Sequence, residues 1–190
     1  MTYRNRRPAP IPIGDTVSGN PPVPVTVWPV PAPQPGETMS NPMGVRIIHN
    51  LSHPFDPVID LASGPQLARA IIKARRRSLQ EPRSAGWGRE KATLIVTGWP
   101  PADPAAPVDF FSRCRTSLVP GGCVAVLLPH DDVILPADVI VAAKKAGLAY
   151  LQHIVAAHRS PRKGQQTQLD IHTDLLVMAA PQDGEGEADA

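Results

Sequence analysis

A chain of 190 residues has room for one core of ordinary size and not for two. Its 19 basic and 17 acidic residues leave a net charge of +2, which excludes bulk charge as a basis for binding nucleic acid or an anionic membrane; any such surface has to be local. Hydrophobic content of 42% suits a folded protein, but 24 prolines far exceed the usual share of about 5% and are unevenly placed, so a folded part and an open part are expected.

The open part comes first. In residues 1–44 the run PPVPVTVWPVPAPQPGE lacks backbone donors at its prolines, which also fix φ near about −65°, so an extended, disordered arm is expected. Arg4, Arg6 and Arg7 are placed to touch phosphate, and PVPAPQP to dock on an aromatic groove, although a linker needs neither. No apolar run approaches the roughly 20 residues that span a bilayer, and the start has no continuous apolar core. A soluble, cytoplasmic protein that makes no membrane contact is therefore expected. Cys114 and Cys123 have no companion at metal-like spacing and are read as reduced and structural, with no metal site.

Residues 45–182 carry the punctuation of a folded domain, and the acidic end DGEGEADA (183–190) is expected to be loose. PVIDLA (57–62) reads as a buried strand, and Gly64 and Pro65 then open a helix with Leu67, Ile71 and Ala74 on one face. Lys73, Arg75, Arg76 and Arg77 complement the negative end of that helix; with Arg83, Arg89 and Lys91 they form a cationic cluster able to follow nucleic-acid phosphates. A loop around Trp87 precedes the strand TLIVTGW. Next comes a helix with Val108, Phe111, Cys114 or Arg115, and Leu118 along one stripe and Asp109 in its first turn. VPGG stops it before the buried strand CVAVLLP. A helix from Pro136 to Gly147 follows, and AYLQHIVAAH and IHTDLLVMAA then form an antiparallel hairpin. His130, Asp131 and Asp132 are read as a turn with a helix-capping aspartate; His153 and His158 as facing opposite ways; His172 and Asp174 as a solvated face.

Strand and helix alternation implies an α/β sheet with helices on both faces and ligands at the carboxyl ends of the strands, around Ala62–Gly64, Thr97–Pro101 and Pro129–Asp132. From His53 to Pro181 the chain resembles a class I S-adenosylmethionine-dependent methyltransferase. The resemblance rests on TLIVTGWPP at the family's fourth strand, SLVPGGC before the fifth, and the terminal hairpin. It implies a mostly parallel, Rossmann-like sheet ending in an antiparallel hairpin. Only about 14 loop-like residues lie between Arg77 and Thr93, so one or two strands of the first half are expected to be missing.

The resemblance further implies S-adenosylmethionine as cofactor, held near Asp60, Ala62 and Gly64, where DLASGPQ stands for a glycine-rich turn. Glu81 and Glu90 are the acidic candidates for the ribose. Enzymes of this family that methylate exocyclic amines of DNA and RNA carry [Asn/Asp/Ser]-Pro-Pro-[Tyr/Phe/Trp] after the fourth strand, and Thr97, Trp99, Pro100 and Pro101 occupy that loop here. Trp99 replaces the polar acceptor and Ala102 the aromatic ring; Thr97 or Asp103 is the available substitute acceptor. Two functions follow from the resemblance: a DNA-type amino-methyltransferase of reduced or lost activity, or a non-catalytic methyltransferase-fold subunit that binds a protein partner or a second copy of itself. A dinucleotide-binding fold of another kind is disfavoured by the terminal hairpin.

Overall fold

The computed structural model describes residues 15–17, 23–79, 87–102, 105–131, 134–160 and 168–182; the acidic end 183–190 and Glu81, Asp103 and Asp132 lie outside these. The elements run β1 (Asp15–Val17), β2 (Val23–Pro29), α1 (Asn41–Leu51), β3 (Pro57–Leu61), α2 (Gln66–Lys73), β4 (Arg77–Ser78), β5 (Ala92–Gly98), α3 (Pro107–Ser117), β6 (Leu118–Pro129), α4 (Leu135–Lys145), β7 (Ala149–Ser160) and β8 (Gln168–Ala179). They build one eight-stranded sheet in the order β1-β2-β7-β8-β6-β5-β3-β4. Only β1 and β8 run against the other strands, so the sheet is mostly parallel and its last two strands form the expected antiparallel hairpin.

Helices cover both faces. On one face α1 and α2 bury Ile47, Ile48, Leu67 and Ile71 against Val58, Leu94 and Val96 of the sheet. On the other, α3 and α4 bury Phe110, Phe111, Cys114 and Ala143 against Ile59, Ile95, Val124 and Val126. Alternate residues of β5 feed opposite cores, the period-two pattern of a strand buried on both sides. Each fully buried aliphatic side chain contributes roughly 1.5–3 kcal/mol, so the two layers supply most of the folding free energy.

The open arm does not extend to residue 44. Val23–Pro29 joins the sheet in parallel with β7, Val25 opposite His153 and Pro29 opposite Ala157, and Trp28 is buried in the α1 core with the Arg46 guanidinium 5.8 Å from its ring centroid. Prolines are tolerated because this strand lies near the sheet's margin, where fewer donors are required. Helix α1 also lies partly in that segment: Pro42 takes its first turn, and Met43, Ile47, Ile48 and Leu51 recur at helical spacing.

Elsewhere the corrections are local. In α3 the buried stripe is Phe110, Phe111, Cys114 and Ser117, and Val108 is exposed. VPGG does not end one element and precede another: β6 begins at Leu118 and passes through it as an irregular stretch. Gly122 sits so close to β5 that a Cβ would lie 3.1 Å from the Thr93 carbonyl and 2.9 Å from that of Val119. Helix α4 starts after Ile134 without a side-chain cap, and Asp131 is exposed. The sheet ends, among the described residues, at the two-residue strand β4. Neither Cys114 nor Cys123 forms a disulfide, and burial pushes the Cys123 thiol up to about 12, which keeps it protonated. No helix among the described residues is long and apolar enough to cross a membrane.

Candidate functional site

At the carboxyl ends of β3, β5 and β6 lies a cleft of about 360 Å³. This is where open α/β sheets bind ligands. Its polar lining comes from Glu37, Thr38, Ser63, His172 and Thr173, and its loop wall from Gly98, Trp99 and Pro100. Glu37 and Thr38 belong to the segment after β2, which turns at Gly36 (φ +82°) and reaches the end of β3.

The turn after β3 is closed by its own contacts. The Asp60 carboxylate accepts from the Ala62 N–H at 3.0 Å. Ser63 is held twice by Thr38: its N–H donates to Thr38 Oγ1 at 2.8 Å, and its carbonyl accepts from the Thr38 N–H at 3.1 Å. Gly64 has φ +95°, a conformation that costs an L-residue with a Cβ roughly 1–2 kcal/mol, so glycine is needed here for the bend alone. Gln66, buried, folds its amide over this glycine; a Cβ on Gly64 would stand 2.3 Å from Gln66 Oε1, which has no hydrogen-bond partner among the described residues. The Asp60 carboxylate and the Ala62 and Ser63 N–H groups are thus engaged within the chain, and the Gln66 side chain covers Gly64.

The Pro-Pro loop is likewise turned inward. Thr97 is fully buried on β5, and its hydroxyl donates to the Gly98 carbonyl at 2.8 Å. The Trp99 N–H donates to the Leu127 carbonyl at 2.9 Å, the Trp99–Pro100 peptide is cis, and the indole lies flat on Phe111, centroids 5.6 Å apart at 8°, with its edge toward Phe110. Stacking of this kind adds about 0.5–1.5 kcal/mol to the area buried. Pro100 lines the cleft and Pro101 is half-buried beside it. Thr97 is thus a buried packing residue, and Trp99 packs its indole on Phe111 while also lining the cleft.

A cluster absent from the sequence reading lies at the end of β6. Asp174 of β8 is buried, and its two carboxylate oxygens meet His130 Nδ1 and His153 Nε2, each at 2.6 Å. Burial works to raise the Asp174 pKa, but hydrogen bonds from His153 and His130 and their nearby charge outweigh it and hold the carboxyl below its ordinary value. Burial, and then the charge of Asp174, pushes the neighbouring Tyr150 phenol up to about 12. Asp174 is thus no part of a solvated face. His153 and His130 meet there by regular alternation: Val155 of β7 and Leu128 of β6 stand opposite Asp174, and the two histidines lie two residues from these on the same face. His172, left unpaired by a bulge in the β7–β8 register, lines the cleft, with Nε2 3.0 Å from the Val30 carbonyl and Nδ1 2.9 Å from Thr173 Oγ1. A carbonyl only accepts, so Nε2 is the donor to Val30. Among the described residues no group of three or more His, Cys, Asp or Glu is placed to hold a metal ion.

Of the two acidic residues considered for a ribose, Glu90 pairs with Arg77 at 2.8 Å on the surface, and β4 ends without a carboxylate. Thr38 and Asp174, which shape this end of the molecule, carried no local signal. Thr38 lies 25 residues from its partner Ser63, and Asp174 is one acid in an otherwise ordinary strand pattern.

The architecture is similar to that of a candidate methyltransferase from Bacillus halodurans, with TM-score 0.52 at 10% identity over 75% of this chain and 99% of that one. Also similar are a candidate methyltransferase from Thermoplasma acidophilum (TM-score 0.48, 14% identity, 84% and 68% covered) and the 1,6-didemethyltoxoflavin N1-methyltransferase of Burkholderia thailandensis with bound S-adenosylhomocysteine (0.46, 14%, 75% and 78%). No family model matches the chain, and no curated protein matches it in sequence.

Proposed function

The chain has the fold of the class I S-adenosylmethionine-dependent methyltransferases; on that premise we propose that it works as a binding or partner subunit of the nucleic-acid amino-methylating type and does not methylate an amine at its own Pro-Pro loop. The observation that carries this reading is the Trp99 indole lying flat on Phe111, where an amine-methylating loop needs a polar acceptor. Methylating an exocyclic amine requires the nitrogen lone pair to be aimed and its protons to be accepted. The Thr97 hydroxyl is buried on the Gly98 carbonyl and can do neither.

S-adenosylmethionine is the cofactor this fold implies. As folded, the turn does not fit the cofactor's amino-acid end, because Thr38 holds Ser63 and the Gln66 amide covers Gly64. A cofactor there requires the Thr38 contact to open. At the other end, β4 supplies two residues and no carboxylate.

Calorimetric titration with S-adenosylmethionine, together with transfer of a radioactive methyl group to duplex DNA and to RNA, tests this. The expected result is cofactor binding no tighter than millimolar and no label in either nucleic acid. Label above background with the isolated chain would overturn the reading. The second reading, an active transferase, is favoured by the cleft itself, which lies at the ligand end of the sheet with Gly98 and Ser63 on its walls; the labelling assay decides between the two.

A further inference from the structure

At the opposite end of β3, two residues other than glycine have positive φ. Arg75 ends α2, with its own N–H on the Ile72 carbonyl and the Arg76 N–H on that of Ile71, and Phe55 follows Pro54 in the turn closed by the Asp56 N–H on the His53 carbonyl. Phe55 has φ +70° and Arg75 φ +55°, and the Phe55 N–H donates to the Arg75 carbonyl at 2.8 Å, so the two stand side by side. A bulky residue in this region is strained by roughly 1–2 kcal/mol that glycine would avoid. Phe55 nevertheless shows 74% of its surface to solvent, as does Ile72 on the adjoining turn of α2. Burial therefore does not offset the strain at Phe55.

The surroundings are cationic. A surface hollow of about 440 Å³ is lined by Phe55, Arg75, Arg76 and Arg77. Arg69 and Lys73 are exposed on α2 beside it. Arg76 is the exception among these cations, because its guanidinium donates to the Ser52 carbonyl (2.8 Å), to the Ile48 and Ala74 carbonyls and to Ser52 Oγ, tying together the ends of α1 and α2. Arg77 shares one contact with exposed Glu90, a surface pair that a phosphate can displace. An exposed aromatic ring among unburied guanidinium groups has the chemistry of a single-stranded nucleic acid site, where a base stacks on the ring and phosphates meet the arginines.

We propose that Phe55, Arg75 and Arg77 form a binding site for single-stranded nucleic acid at the amino end of the sheet. The five residues of β3 separate it from the cleft by about 17 Å. A strand held there is tethered to the molecule without presenting its stacked base to the cleft, which suits a subunit that supplies affinity to a partner. The site does not depend on the proposed function, because it requires neither cofactor nor methyl transfer.

The test is fluorescence anisotropy of the full chain with end-labelled oligo(dT) and oligo(U) of twelve nucleotides, from 20 to 200 mM salt. The expected result is binding that weakens with salt, with a log–log slope near −1.4 from two phosphates at about 0.7 each. Phe55→Ala should weaken binding roughly 5- to 100-fold. Arg75→Ala and Arg77→Ala should each flatten the slope by about 0.7, and Lys144→Ala on α4 should leave both readouts unchanged. Circular dichroism melting of each variant establishes that it is folded. Absence of binding by the unaltered chain overturns the proposal. So does equal binding by Phe55→Ala, or binding that disappears only when the arginines at positions 4, 6 and 7 are removed.

Discussion

Strand β3 has a motif-like turn at one end and the Phe55–Arg75 pair at the other, and the two ends use their side chains in opposite ways. At the carboxyl end, Asp60, Thr38, Thr97 and Trp99 are each engaged with a neighbour in the chain. At the amino end, Phe55 projects into solvent from a strained backbone. Resemblance to a functional motif marks where chemistry would take place in this fold, whereas strain and exposure mark side chains that the fold itself does not need. Substitutions at the carboxyl end should therefore act on stability, and those at the amino end on ligand binding.

The largest effect is expected at Trp99. Trp99→Ala removes a ring stacked on Phe111 and edge-on to Phe110 and should destabilise by about 2–4 kcal/mol, somewhat less than a fully buried tryptophan because the ring is only half-buried. Urea unfolding followed by tryptophan fluorescence measures it. A loss below about 0.5 kcal/mol would mean that the ring is available to a ligand, and the contrast between the ends would fail.

Asp174 comes next. Its carboxylate joins β6 to β7 through His130 and His153, so Asp174→Asn should cost about 2 kcal/mol at neutral pH. The folded-state pKa lies below the ordinary value of 3.8, so the stabilisation is fully present above that pH and is lost as pH falls through the lower folded value. Unfolding midpoints measured between pH 2 and 5 should fall with acid in the unaltered protein and much less in the variant. Tyr150 acts at the other limit: its raised pKa favours the neutral phenol, so its contribution is complete below about pH 10 and disappears as pH rises toward 12.

The layered sheet was legible because its apolar runs are separated by glycine and proline at Gly64, Pro65, Pro136 and Gly147, each placed where an element bends or begins. β2 was not, because alternating prolines suggest an extended free chain unless a sheet margin is known to be waiting for it. The hairpin was legible while its register was not: which residues of β6 and β7 stand beside Asp174 depends on pairing between strands, and the bulge at His172 interrupts the alternation of β8. The cleft lies at the carboxyl ends of the strands, where strand order places the ligand end of such a sheet. Its closure depends on Thr38 and Gln66, whose contacts are set by tertiary packing.

Thr38 gives a smaller effect that can be read in two ways at once. Thr38→Ala deletes the acceptor of the Ser63 N–H. The expected loss of stability is about 1 kcal/mol. If Thr38 keeps the turn closed, calorimetry should show S-adenosylmethionine binding several-fold more tightly to the variant. Unchanged affinity with reduced stability would assign Thr38 to packing alone.

The smallest effect carries the opposite sign. Phe55→Gly removes an exposed ring from φ +70°, relieving about 1–2 kcal/mol of strain, while the added freedom of glycine in the unfolded chain offsets about 0.5–1 kcal/mol. The net gain should be about 0.5 kcal/mol, a rise of about 1–2 °C in melting temperature for a protein of this size. Stability that increases while oligonucleotide binding falls means that the ring is kept at the expense of the fold, as expected of a contact made only with a ligand. A variant that melts lower would show that Phe55 contributes to packing, and the two ends of β3 would then differ in sequence and not in use.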